Sequence, residues 1–329
     1  MAVDSFTGKL AVVTGGGSGM GRELVRQLAA QGCSVATCDL NADTVAVTAA
    51  TARAAAPPGV RVTSFACDVS DEAQVLRFRD ALLDEHATDH VGLVFSNAGI
   101  GGGESFVTGR REVWERTFAV DWLGVYYCAR AFLPLLIASS EGVLVNTSSV
   151  SGFFASLGPG MPNTAYSTAK FAIRGFSEAL IEDLRVNAPH VRVAVVMPGH
   201  VGTDIVVNSI RARGLPEPAQ MSEAQLEELI PPDMRAKLVG AGMLAEGASA
   251  EDLRRLIVQG NADFRDKAPL SAAEAATIIL DGVRSGAWRI LVGNDAMSLD
   301  EAVRAEPEDA YDWTKLIKKM TEGASAGNT

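Results

Sequence analysis

The feature that most limits how this chain of 329 residues can fold is a repeated alternation of two patterns. Short β-rich apolar runs stand at 10–15, 34–39, 60–68, 91–97, 142–148, 191–198 and 288–293. Helical patterns lie between them at 20–31, 41–55, 71–86, 111–137, 165–187 and 271–285. Strands separated by helical crossovers make βαβ units, and so a parallel sheet with helices on both faces. The runs "LAVVTG" and "VRVAVVMP" are almost wholly apolar rather than alternating, as strands buried on both faces are. The expected fold class is therefore α/β, a doubly wound parallel sheet of about seven strands whose ligands sit beyond the carboxyl ends of the strands.

Two segments break this rhythm. Residues 204–268 form a long insertion before the last strand, with amphipathic patterns at 222–230 and 250–260. Residues 298–329 read as a polar tail whose end, "EGASAGNT", is expected to be disordered. The rest, 1–297, reads as one domain, and 47% hydrophobic residues suffice for a large core. A net charge of −11 with no Lys/Arg cluster argues against a nucleic-acid partner. No basic segment followed by a long apolar one opens the chain, and no run of about 18 apolar residues appears, so neither a signal peptide nor a membrane span is expected. Cys33, Cys38, Cys67 and Cys128 lie in apolar contexts without C-x-x-C spacing, which reads as reduced, buried thiols in a cytoplasmic protein. His86 and His90 sit among carboxylates in "DEHATDH", a pattern read as a solvated helix end; no H-E-x-x-H supports a metal, and none is expected.

The first strand runs into "TGGGSGMG" (14–21), then a helix. A plain strand-to-helix turn needs one or two glycines; five within 15–21 let the backbone approach a phosphate at a helix N-terminus. The spacing is T-G-x-x-x-G-x-G, and Gly15, Gly17, Ser18, Gly19, Met20 and Gly21 are the expected dinucleotide contacts. Asp39 closes the second strand with Leu40 after it. A carboxylate there accepts the ribose hydroxyls and repels a 2′-phosphate, so NAD is expected over NADP; the bland alternative is a surface-turn aspartate. Asp68 and Val69 end the third strand, placed for adenine, while Ser70 or Asp71 is the candidate N-cap of the next helix.

"AYSTAK" (165–170) puts Tyr166 and Lys170 on one helical face, either as a catalytic couple or as a surface contact. A phenol titrates near pH 10, and a neighbouring cation lowers that value. Lys170 and the positive ring of a bound NAD⁺ would both do so, making Tyr166 an acid/base.

Taken in order, "TGGGSGMG", "CDVSD", "SNAGIGGG", "NTSSVSG", "YSTAK" and "PGHVGT" resemble the short-chain dehydrogenase/reductase superfamily, in its single-domain branch with a Rossmann-like sheet. The extended branch would want Gly at Ser18. The resemblance implies that Asn97, Ala98 and Gly99 shape the cofactor floor, and that Pro198, Gly199, Val201 and Thr203 lie against the nicotinamide, with His200 a variable loop residue. It selects Ser149 over Ser148 as the group that hydrogen-bonds the substrate oxygen. It also puts Asp121 where the family usually has Asn. From Ser149 to Tyr166 the chain is longer than is usual there, and Phe153, Phe154 and Met161 are the expected lining of an apolar substrate pocket; a surface loop with locally packed aromatics is the alternative. The insertion falls where the family puts a substrate lid. A homodimer or homotetramer through the helices at 111–137 and 165–187 is implied. The expected function is NAD-dependent hydride transfer between a bulky, apolar secondary alcohol or ketone and nicotinamide. The alternatives are a dinucleotide sensor that has lost catalysis, and a related lyase or epimerase.

Overall fold

The structure is a computed structural model, and it describes residues 3, 5–102, 105–158 and 161–326. In chain order the first half runs β1 (Leu10–Thr14), α1 (Gly19–Ala30), β2 (Ser34–Asp39), α2 (Ala42–Ala55), β3 (Val62–Ala66), α3 (Glu72–His86) and β4 (Leu93–Ser96). Then come α4 (Arg111–Phe118), a π-helical turn (Ala119–Leu123), α5 (Gly124–Ile137), β5 (Gly142–Thr147), α6 (Thr164–Asn187) and β6 (Val191–Pro198). These strands and a last one, Arg289–Val292, pair in parallel as a seven-stranded sheet in the order β3-β2-β1-β4-β5-β6 and then that last strand. The strand order reverses between β1 and β4, which opens a crevice at their carboxyl ends.

Both sheet faces are covered, as the apolar strands require. Leu24, Val25 and Leu28 of α1 and Ala49 of α2 pack under one face with Val13 and Phe95. Phe78 and Leu82 of α3, Phe132 and Leu136 of α5 and Leu180 of α6 fill the other. Each of the larger of these side chains, fully buried, contributes about 1.5–3 kcal/mol. Local signals set the helix starts: Asn41 caps α2 through the N–H groups of Asp43 and Thr44, and Asp71, not Ser70, caps α3 through those of Ala73 and Gln74.

Between β6 and the last strand lie β7 (Val201–Gly202), α7 (Ile205–Ala212), α8 (Glu223–Leu229), α9 (Pro232–Gly240), α10 (Ala250–Asp266), β8 (Leu270–Ser271) and α11 (Ala272–Ser285); the last strand is β9. Capping boxes at Ser222/Gln225 and Ser249/Asp252 start α8 and α10. The insertion has small cores of its own, Ile210 with Leu215, Met221 and Leu226, and Ile230 with Leu244 and Leu253. The short parallel pair β7–β8, unforeseen from sequence, ties its two ends together.

The helix expected over 111–137 contains the π-helical turn, at the point where the Asp121 side chain is drawn inward to the Ile100 N–H. That joined helix is apolar and long enough to cross a membrane by length and composition alone, yet 50% of its most apolar window is buried inside the protein, as in a core helix. The polar tail folds as α12 (Asn294–Ala305) and α13 (Trp313–Ala326). Its apolar residues Ala302, Ala310 and Leu316 are buried against Phe153, Phe154, Val195 and Met197. The extreme end, 327–329, lies outside the described residues.

Candidate active site

The crevice at the switch between β1 and β4 is a single cleft with an empty volume of about 1340 Å³, including its open mouth. Its floor is backbone. Thr14 Oγ1 accepts from the N–H groups of Asn97 and Ala98, both at 3.0 Å, and Asn97 Nδ2 donates to Thr14 O at 3.1 Å, which clamps the end of β4 to the glycine loop. Gly15 has φ +71°, and a Cβ there would lie 2.8 Å from Ala98 Cα. At Gly21 a Cβ would sit 2.0 Å from Gly15 O. Only glycine permits that approach. The first turn of α1 carries no acidic residue, and Ser18 makes no side-chain cap, so its N–H groups and positive dipole end face the cleft unopposed. This donor set fits the pyrophosphate of a dinucleotide. Gly15, Ser18, Gly19, Met20 and Gly21 line the cleft; Gly17 stands behind them, its N–H donating to Asp39 Oδ2 at 2.9 Å.

Asp39 and Leu40 stand at one rim, with Leu40 49% exposed. Asp39 Oδ1 accepts from Asn41 N at 3.0 Å, so both carboxylate oxygens are oriented by backbone while keeping lone pairs for a ribose. Asp68 and Val69 line the same end. Burial pushes the Asp68 carboxyl up, but hydrogen bonds from Ser70 and Arg116 and the Arg116 charge outweigh it, and the net direction is down. Asn97, Ala98, Gly99, Pro198, Gly199, Val201 and Thr203 line the remaining floor and far wall. His200 stays in the loop: its N–H donates to Asp295 Oδ2 at 2.6 Å and its Nε2 lies 2.8 Å from Phe264 O.

The other wall carries the titratable groups. The two serines after β5 divide their tasks. Ser148 Oγ donates to Lys170 O at 2.7 Å and is used up in holding α6. Ser149, 7% exposed, accepts from Ser151 N at 3.1 Å and lines the same wall as Tyr166, whose phenol it favours in the ionised form. Lys170 Nζ lies 5.2 Å from the Tyr166 ring centroid, donates to Thr147 O at 3.2 Å, and stands 3.7 Å from Asp121 Oδ1. Asp121 is fully buried; its Oδ1 accepts from Ile100 N at 2.9 Å, while Oδ2 has no hydrogen-bond partner among the described residues. Burial raises its pKa to about 6 against the pull of Lys170 and the Ile100 N–H. Gly99 allows this crowding, since a Cβ there would lie 2.8 Å from Asp121 Oδ1 and 3.3 Å from Lys170 Nζ.

Tyr166 departs from the sequence expectation. Its pKa is raised, first by burial and then by the Asp121 charge; Lys170 and Ser149 act the other way and lose. The ring is half-buried at the cleft wall, and solvent in the open cleft softens the burial contribution. The lowering that Lys170 provides is outweighed by burial, with a smaller push from the Asp121 carboxylate.

The expected substrate lining is not found. Phe153 and Phe154 point away from the cleft into the tail, where Phe154 stacks on Tyr311 at 5.1 Å and packs edge-on to Trp313. Met161 is 59% exposed and off the cleft wall. The aromatics belong to a core that the tail completes. Apolar lining comes instead from Ile100, Val120, Ile205 and Phe264, with Arg116, Asn208 and Arg211 among the polar residues not anticipated. Asn208 Nδ2 donates to Ser18 Oγ at 2.8 Å and Gly101 N to Ser209 Oγ at 2.7 Å, which seat α7 over the cleft as a roof. Among the described residues no group of three or more His, Cys, Asp or Glu is placed to hold a metal ion.

A family model for short chain dehydrogenases matches residues 9–214. SadH of Mycobacterium tuberculosis (strain H37Rv), assigned as an oxidoreductase, is 37% identical over 243 residues, 73% of this chain and 84% of its own. Epidermal retinol dehydrogenase 2 of Mus musculus is 32% identical over 200 residues, 60% of this chain and 62% of its own. Among solved structures, a short chain dehydrogenase/reductase from Burkholderia phymatum in complex with NAD gives a TM-score of 0.71 at 29% identity, covering 93% of this chain and 95% of the other. A metagenomic short-chain oxidoreductase in complex with NADP gives 0.52 at 30% identity, covering 59% and 83%.

Proposed function

Because the chain belongs to the short chain dehydrogenase family, we propose that it is an NAD-dependent oxidoreductase interconverting a secondary alcohol and its ketone. The observation that carries this reading is the convergence of Ser149, Tyr166 and Lys170 on one cleft wall, facing a glycine floor suited to a dinucleotide. When bound, the nicotinamide supplies the acceptor or donor of the hydride. The protein's own residues manage the proton. With its raised pKa, Tyr166 holds its proton at neutral pH in the free protein, ready to give it to a carbonyl oxygen. In the oxidation direction the phenol must first lose that proton, and the Lys170 cation is the protein's means of easing the loss. Ser149 orients the phenol and offers a second hydrogen bond to the substrate oxygen. Asp121 holds Lys170 from behind.

Asp39, with Leu40 and no basic residue next to it, supports NAD over NADP. The Ile100, Val120, Ile205 and Phe264 lining supports a bulky, apolar substrate. The same reading includes a cytoplasmic homodimer or homotetramer, supported by Tyr126 of α5 and Phe171 of α6, which are 38% and 40% exposed. A sensor that has lost catalysis fits less well, because Ser149, Tyr166 and Lys170 are all present on one cleft wall, with Lys170 Nζ 5.2 Å from the Tyr166 ring centroid. The glycine spacing speaks against a lyase or epimerase.

The test is a panel of secondary alcohols with NAD at alkaline pH, followed by absorbance of the reduced cofactor. Tyr166→Phe should cut turnover by about 10²–10⁴-fold, the usual weight of a general acid/base, while NADH binding by fluorescence persists. Undiminished turnover in that variant would sink the reading.

A further inference from the structure

The cleft's adenine end and its roof meet at one side chain, Arg116 of α4. Its Nη2 lies 2.8 Å from Asp68 Oδ2, and its Nη1 donates at 2.5 Å to Ser70 Oγ, which in turn donates to Asp68 Oδ1 at 2.7 Å. Its Nε donates to Ala212 O, the last residue of α7, at 3.0 Å. All three guanidinium nitrogens are thus engaged, and the planar fork fixes the two contacts relative to one another. The α7 end gains in two ways, since a terminal carbonyl without an intrahelical donor is satisfied and a cation sits at the negative end of the helix. Two further contacts of α7, Asn208 to Ser18 and Gly101 to Ser209, are between neutral groups. The Arg116 contact is charge-assisted, a stronger class of bond.

We propose that Arg116 is a positioning residue that couples occupancy of the adenine end to closure of α7. This rests on the dinucleotide reading above. A donor from an adenine ring on the Asp68 carboxylate fixes that carboxylate, which fixes the guanidinium, which fixes the end of the roof helix. Recognition of the half of the ligand that does no chemistry then organises the cover over the half that does.

ADP-ribose, which has the adenine and lacks the nicotinamide, separates these events. Its binding to the full chain is measured by calorimetry, and the amide exchange of 205–212 by mass spectrometry. In the unsubstituted protein, saturating ADP-ribose slows exchange in α7 by about fivefold or more, the scale of an ordinary coupling between sites. In Arg116→Met, ADP-ribose still binds but the α7 protection disappears. Arg116→Lys keeps a cation that cannot span both partners, shows reduced protection, and serves if the methionine variant does not fold. Equal protection in the substituted and unsubstituted proteins overturns the coupling. No binding of ADP-ribose to the unsubstituted protein overturns the dinucleotide reading and the coupling with it.

Discussion

The floor of the cleft is backbone, packed so tightly that glycines at 15 and 21 have other main-chain atoms where a side chain would begin. The roof is made of side chains on helices that carry their own small cores, and glycines there, such as Gly240 and Gly260, have nothing within 4 Å of a Cβ position. The contrast teaches where sequence has freedom. The floor holds its shape through contacts with no tolerance for an added atom, whereas these roof glycines leave room for one.

The largest effect expected from this contrast is at Gly21→Ala. A methyl 2.0 Å from Gly15 O forces the loop apart, at a cost of about 1–3 kcal/mol or more, and should lower Tm and weaken NADH affinity at least about tenfold. Normal affinity in that variant would mean that the floor is softer than its geometry says. Next comes Asp39→Ala, which removes the charge facing a 2′-phosphate together with the acceptor of the Gly17 and Asn41 N–H groups. The NADP/NAD ratio of kcat/KM should rise by about tenfold, one buried or partly screened charge being worth about 1.4 kcal/mol or more; an unchanged ratio removes the ribose assignment. Asp121→Asn should preserve the fold and move only titration. Asp121 raises the Tyr166 pKa, so removing its charge lowers it. Oxidation needs the phenolate and rises with pH through that value, so the acid limb of the kcat profile should shift to lower pH. An unmoved limb would show that Asp121 does not act on the phenol. The smallest effect, and of opposite sign to the first, is Gly260→Ala in mid-α10: about 0.4–1 kcal/mol of added stability by thermal melting, with kinetics unchanged. A loss of stability there would place the roof under the same constraint as the floor.

The same division governs what the sequence could reveal. The place of the glycine loop, Asp39, Ser149, Tyr166 and Lys170 in the cleft was legible because each stands next to a strand end or on a single helical face, within a few residues of the signal that marks it. Arg116 was not, because its partners Asp68 and Ala212 stand 48 and 96 positions away and no local pattern announces them. Phe153 and Phe154 were misplaced for a related reason. Adjacency to Ser149 fixes where their backbone lies, but the tail decides which way the rings turn. A signal for that tail was present: Leu299 with Val303, and Leu316 with Met320, are apolar at i, i+4 and pack inward, a helical stripe hidden by the polar average. The π-helical turn forms where a buried carboxylate reaches the Ile100 amide across the cleft floor.

The tail's stacking on Phe154 sets an order of events. Tyr311 also accepts the Ala155 N–H at its hydroxyl, at 3.1 Å, so the turn that follows Ser149 is backed by residues near the end of the chain. A polypeptide is made from its N-terminus, and its sheet can assemble while the rest is still being synthesised. The serine turn therefore gains its backing only once Tyr311 and Trp313 have been made, well after the motif residues it carries.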